Sequence, residues 1–138
     1  MPAYNFKSQF ARMVESGKKT QTIRKVRKYP TKSNTPIFLW FGLRTKYARR
    51  LGVGIILSVE PITIYDHYYF RIGTGSSSLK FRTDMGDAGL MLAKADGFKS
   101  WEKLVEFFES HYGLPFEGEI IKWRLLKGHD FGFPEKEI

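Results

Sequence analysis

The chain has no cysteine, which excludes a disulfide scaffold, a thiolate nucleophile and any cysteine-ligated zinc or iron–sulfur centre. Its three histidines, His67, His111 and His129, are far apart, and none stands in an HxxxH or HExxH spacing. No metal and no cofactor is therefore expected. Long apolar runs are also missing. The longest, Pro36 to Leu43, is less than half of what a membrane-spanning helix needs. Met1 to Gln9 shows neither a basic stretch nor an apolar one after it, so no signal peptide and no membrane partner are expected, and the cytoplasm is the default location.

Acidic residues are scarce in one place only. Residues 1–50 hold 13 lysines and arginines against a single acid, Glu15, a balance of +12. Residues 51–138 hold 10 basic and 13 acidic side chains, a balance of −3, and the whole chain carries +9. All of the excess positive charge thus lies in the first third. Such a concentration attracts polyanions and gains from counterion release at each phosphate contact, which points to a nucleic acid or nucleotide.

The 138 residues are 42% hydrophobic and 27% charged. That is a globular composition, and the length suits one domain over 1–126 with a C-terminal tail over 127–138. Phe6, Phe10, Met13 and Val14 recur at helical spacing, and Gly17 is placed for a left-handed cap. Thr20 to Val26 alternates and is β-branched, which predicts a strand. Ile37 to Phe41 is a short apolar run, as in a strand buried on both faces. Val53, Ile55, Leu57 and Val59 alternate, then Ile62 and Ile64 follow Pro61, which predicts a long strand with a bulge or edge at the proline.

His67 to Ile72 reads as a further strand ended by a flexible run, Gly73 to Ser78. Asp87 to Ala95 reads as helix. Residues 101–112 give the clearest helix, with an apolar stripe of Trp101, Leu104, Val105, Phe108 and Tyr112, Ser100 as N-cap and Gly113 past the end. Glu119 to Leu126 closes the order as a strand. Short, mostly antiparallel strands with peripheral helices predict an α+β class and a small β-barrel.

Chemistry concentrates in Ser16-Gly17-Lys18-Lys19-Thr20-Gln21-Thr22-Ile23-Arg24-Lys25. A helix ends on glycine and turns directly into a strand, on which Thr20, Thr22 and Arg24 share one face. Two hydroxyls, a guanidinium and the Lys19 ammonium make either a ligand site for a phosphate or carbonyl, or a solvated basic strand. The GxxxxGK[ST] spacing of a P-loop is absent. Arg44, Lys46, Arg49 and Arg50 form a second cluster around Tyr47, after Trp40 and Phe41. Basic groups interleaved with aromatics suit single-stranded nucleic acid, and a solvated loop is the other reading. Asp96, before Gly97, reads on its own as a turn residue capping its loop.

Gly17-x-Lys19-x-x-Thr22-x-Arg24 resembles the signature of ASCH domains, small β-barrels related to the PUA RNA-binding fold. The likeness continues in Gly42-Leu43-Arg44-Thr45-Lys46, in Ala95-Asp96-Gly97-Phe98 before Trp101, and in Phe116-x-Gly118-x-x-Ile121-x-Trp123. It looks especially like the ASCH proteins of phage and prophage genomes. The resemblance implies a PUA-like, mostly antiparallel barrel with a basic cleft for RNA or a pyrimidine nucleotide. Lys19, Thr22, Arg24 and Asp96 would line its centre and Arg44, Lys46 and Tyr47 its rim, with Lys18 and Lys25 as further ligand-binding cations beside Lys19.

One branch of the family comprises amidohydrolases that deacetylate acetylcytidine with a lysine, a threonine and a carboxylate. Their lysine and threonine match Lys19 and Thr22, and the nearest carboxylate is Asp96, where that branch has glutamate. Amide hydrolysis needs an activated nucleophile, a base and a proton donor, which this trio would supply provided that Lys19 is stripped of its proton by burial or neighbouring cations. Two alternatives therefore stand beside RNA or nucleotide binding. One is an acetylcytidine amidohydrolase using Lys19, Thr22 and Asp96; the other is a phage-type interaction module docking an acidic protein, with the partner itself unknown.

Overall fold

The computed structural model of the chain describes residues 3–29 and 31–127. Most of the tail predicted over 127–138 lies outside them. The elements run β1 (Ala3–Phe6), α1 (Ser8–Ser16), β2 (Gln21–Arg24), β3 (Pro36–Phe41), β4 (Arg49–Ile64), β5 (Tyr69–Ile72), β6 (Leu79–Arg82), α2 (Ala88–Ala95), α3 (Trp101–Tyr112) and β7 (Phe116–Leu125). The class is mixed α+β, with seven strands in one sheet network that is mostly antiparallel. Strand β1 runs parallel to β3. Two compact units emerge, and β4 and β7 each pass through both.

Among the described residues the first unit comprises 3–20, 31–58 and 122–127. Tyr4 and Phe6 alternate into its core from β1, while β3 pairs with the first half of β4 across a register shift at Leu39/Trp40. Helix α1 buries Phe10, Ala11 and Val14 and stops at Gly17, whose φ of 83° needs no Cβ. The long strand β4 does not turn the predicted residues inward: Gly54 and Ile56 are buried here, and Leu57 is exposed. A Cβ on Gly54 would stand 3.0 Å from the Trp123 ring, so this glycine makes room for the indole. Strand β3 is likewise not buried on both faces; Ile37 and Leu39 face the core while Phe38 and Trp40 are half-buried.

Among the described residues the second unit comprises 21–29 and 59–121. The end of β4, β5 and β6 form an antiparallel meander in which Ile64 opposes Phe70 and Phe70 opposes Phe81. Ile62, Ile64 and Phe70 are buried, and the Trp101 ring packs on Phe70 at 5.2 Å. Ser100 caps α3 by accepting from the Lys103 N–H, as its sequence predicts. Trp101, Leu104, Val105 and Phe108 are buried, but Tyr112 is exposed at the last turn and belongs to no core stripe.

The run Gly73 to Ser78 is not slack. A 3₁₀ turn at Gly75–Ser77 orders it, with Ser77 Oγ donating to the Thr74 carbonyl and Ser78 Oγ to the Gly75 carbonyl. It leads into β6, a strand the sequence pattern does not announce. Among the described residues no helix is long and apolar enough to cross a membrane, and no cluster of three metal-ligating side chains occurs.

Candidate functional site

In the first unit the left-handed turn at Gly17 places Lys19, whose backbone N–H donates to the Met13 carbonyl at 2.9 Å. Its side chain is only 2% exposed. The ammonium lies 4.9 Å from the centre of the Phe10 ring and 5.9 Å from that of Phe6, so aromatic π-faces replace much of its water. Lys18, one residue earlier, is exposed. The Thr20 carbonyl accepts from the Trp123 N–H at 3.0 Å, tying this turn to the end of β7.

The rim residues belong to the same unit and sit on a built turn. Gly42 has a φ of 64° and Arg44 one of 71°. Thr45 Oγ1 donates to the Gly42 carbonyl at 2.6 Å and accepts from the Tyr47 N–H at 3.1 Å, while Asn5 Oδ1 accepts from the Leu43 N–H at 2.9 Å. These bonds hold out Arg44, Lys46 and Tyr47, all exposed, and Tyr47 is 68% accessible. The Lys46 ammonium lies 5.2 Å from the Tyr47 ring, and the Arg50 guanidinium 5.6 Å from that of Phe38. Arg49 is ion-paired to Glu15.

In the second unit β2 is shorter than predicted but buried: Gln21, Thr22 and Ile23 are all within the protein. Thr22 is 5% exposed, and its Oγ1 accepts from Arg24 Nε at 3.2 Å, an i to i+2 contact along one strand face. Gln21 Nε2 is buried with no hydrogen-bond acceptor. Lys25 is exposed, its ammonium 5.5 Å from the Tyr112 ring.

Asp96 ends α2 in the same unit and is 3% exposed. The Phe98 N–H donates to the Ala93 carbonyl and the Gly97 N–H to that of Lys94, at 2.8 and 3.0 Å, with Gly97 at φ 92°. This is a Schellman turn, in which these backbone bonds close the helix. The carboxylate is thereby fixed at a helix C-terminus, where the dipole does not favour an anion.

The sequence-predicted residues thus fall in two groups. Lys19 and the rim belong to one unit, and Thr22, Arg24, Lys25 and Asp96 to the other; Thr22 and Arg24 are in direct contact. Three buried polar residues went unmarked in the sequence, Gln21, Thr31 and Glu119. Glu119 is 8% exposed on β7, and burial pushes its carboxyl above the ordinary range. A glutamate directly before Ile120 and Ile121, inside a predicted strand, was the available signal. Comparison of the chain with protein-family models, with curated proteins and with solved structures finds no match.

Proposed function

We propose that the chain is a PUA-like β-barrel domain of the ASCH type that binds RNA or a modified pyrimidine nucleotide through a basic cleft. The observation that carries this reading is Tyr47, 68% exposed on a hydrogen-bonded turn, with Lys46 against its ring and Arg44 and Arg50 exposed nearby in sequence. An exposed ring on an ordered turn offers a stacking face, and the cations beside it pair phosphates. The +12 balance of residues 1–50 supplies long-range attraction for the same ligand.

A specific observation also favours the hydrolase reading. Lys19, Thr22 and Asp96 are all buried, each at 5% exposure or less. Burying an ammonium, a hydroxyl and a carboxylate costs stability, which a structural role would not require at all three places. A lysine serves as a base only where water has been withdrawn from it. In this reading Thr22 Oγ1 attacks the acetyl carbonyl while Lys19 takes its proton, Asp96 protonates the leaving amine of cytidine, and water then cleaves the acetyl-threonine ester to release acetate.

One experiment separates the two. The parent protein and its Lys19→Ala, Asp96→Ala and Tyr47→Ala variants are incubated with acetylcytidine and, separately, with short single-stranded RNAs. Cytidine release that both Lys19→Ala and Asp96→Ala abolish supports hydrolysis. RNA binding that weakens in Tyr47→Ala, without product, supports the binding domain. Parent protein inert in both assays overturns both readings.

A further inference from the structure

The solvent side of the β4–β5–β6 meander carries an arrangement that the first-third charge cluster does not include. The registers Thr63↔Arg71, Arg71↔Lys80 and Tyr69↔Arg82, with the Tyr65 N–H on the Tyr69 carbonyl, put Tyr65, Tyr69, Arg71, Lys80 and Arg82 on one face. Their neighbours Ile62, Ile64 and Phe70 take the opposite, buried face. Because Thr83 N–H bonds the Tyr68 carbonyl, the hydrogen-bonded pairs of β5 and β6 fall at Tyr68/Thr83 and every second position. Arg71 and Lys80 are therefore a non-hydrogen-bonded pair, the closest cross-strand spacing a sheet has.

Two cations at that spacing repel each other. Among the described residues neither has a carboxylate partner. The Lys80 ammonium rests instead over tyrosine rings, 4.5 Å from Tyr69 and 5.7 Å from Tyr65. Arg71 donates one bond, to Ser78 Oγ at 2.9 Å, and its Nε is buried without an acceptor. Only Arg82 is neutralised, by Asp84 at 2.7 and 2.8 Å. The face thus holds two unneutralised cations and two tyrosine rings, of which Tyr65 is exposed.

We infer that this sheet face is a second contact for single-stranded RNA. Lys80 and Arg71 meet a phosphate between them, which removes their repulsion, and a base stacks on Tyr65. The rings favour a nucleic acid over an acidic protein, for which cations alone would serve. The inference rests on the proposed RNA-binding reading and assigns it a surface outside the cluster around Tyr47.

The test is RNA binding by Lys80→Ala and Tyr65→Ala, with Tyr47→Ala alongside and salt titrations throughout. Both altered side chains are exposed, so circular dichroism of the variants should match the parent. The expected result is binding about tenfold weaker for Tyr65→Ala, and a log–log salt slope shallower by about 0.7 for Lys80→Ala, one phosphate contact on a single strand. Photocrosslinks from thiouridine-bearing RNA should map to residues 65–82. If Tyr47→Ala weakens binding while Lys80→Ala and Tyr65→Ala bind as the parent does, the sheet-face contact is overturned and the RNA-binding reading stands. If the parent binds no RNA, both fall. If Lys80→Ala loses an acidic protein ligand and not RNA, the face is a protein-docking surface and this inference is wrong.

Discussion

Arg24 Nε donates to Thr22 Oγ1 across 3.2 Å, two residues along the same strand. The guanidinium can only donate, so the bond occupies a lone pair of the hydroxyl and leaves its proton for another acceptor. That is the state a nucleophile or a ligand donor needs.

Thr22→Val keeps the side-chain shape and removes the acceptor. Unfolding in urea should show a loss of about 1 kcal/mol with an unchanged slope, the cost of one hydrogen bond to a half-buried cation. Thr22→Ser restores the hydroxyl. Nucleotide binding or acetylcytidine turnover should fall in the valine variant and return in the serine variant. Equal function in both would remove Thr22 from the site.

Trp101 ties two parts of the second unit together. Its Nε1 donates to the His67 carbonyl at 2.6 Å, and its ring packs on Phe70. The same carbonyl accepts from Thr83 Oγ1 at 2.9 Å, so it stays partnered if the indole is lost. Trp101→Phe should therefore cost only about 1–2 kcal/mol, and Trp101→Ala about 3–5 kcal/mol through the cavity as well. Paired denaturation curves of the two variants measure the difference.

The elements read correctly from sequence were those whose signals are local. Ser100 and Gly113 bracket α3, and Gly17 ends α1, because capping chemistry is decided within a few residues. What the pattern hid was decided by distant partners. In β4 both faces are apolar, so period-two alternation could not choose between Val53/Ile55 and Gly54/Ile56; the Trp123 ring chooses, by filling the space over Gly54. Four-residue β1 carries no pattern of its own, and its last residue, Phe6, fits the helical spacing instead, since only the parallel pairing with β3 makes it a strand. For the candidate site, the residue types around Gly17 were legible, but the burial of Lys19 and Asp96 depends on packing that no spacing encodes.

Glu119 predicts a pH dependence of stability. Desolvation raises its carboxyl above 4.5, the value it has when unfolded and exposed. Between 4.5 and the raised value the folded state holds the proton more often than the unfolded state does. Stability from this group is therefore present at low pH and falls as pH rises through that window. Glu119→Gln removes the ionisation, so it should be more stable than the parent at neutral pH, with the two converging on acidification. Urea unfolding at a series of pH values checks the sign; a glutamine variant that is less stable at neutral pH would mean that the carboxylate has a charged partner.

Gly118 governs how closely β7 approaches β2. A Cβ there would lie 2.4 Å from the Arg24 carbonyl oxygen and 2.8 Å from the Phe116 ring. The ring is flanked by Phe108 at 4.6 Å and Tyr112 at 5.0 Å, so it has little freedom to withdraw, and the carbonyl belongs to the backbone of β2. Gly118→Ala must then push the strands apart at the residue that holds Thr22. A loss of about 2–3 kcal/mol is expected, typical of overpacking against a fixed backbone. Because the displaced carbonyl is that of Arg24, the variant should also lose ligand binding at temperatures where it remains folded. Gly89→Ala, whose Cβ would meet Thr83 and Trp101 side-chain atoms at 3.3 Å, is the matched control. It crowds the core elsewhere in the unit and should leave binding intact, so a parallel loss of binding in both variants would show that the position of β2 does not set the affinity.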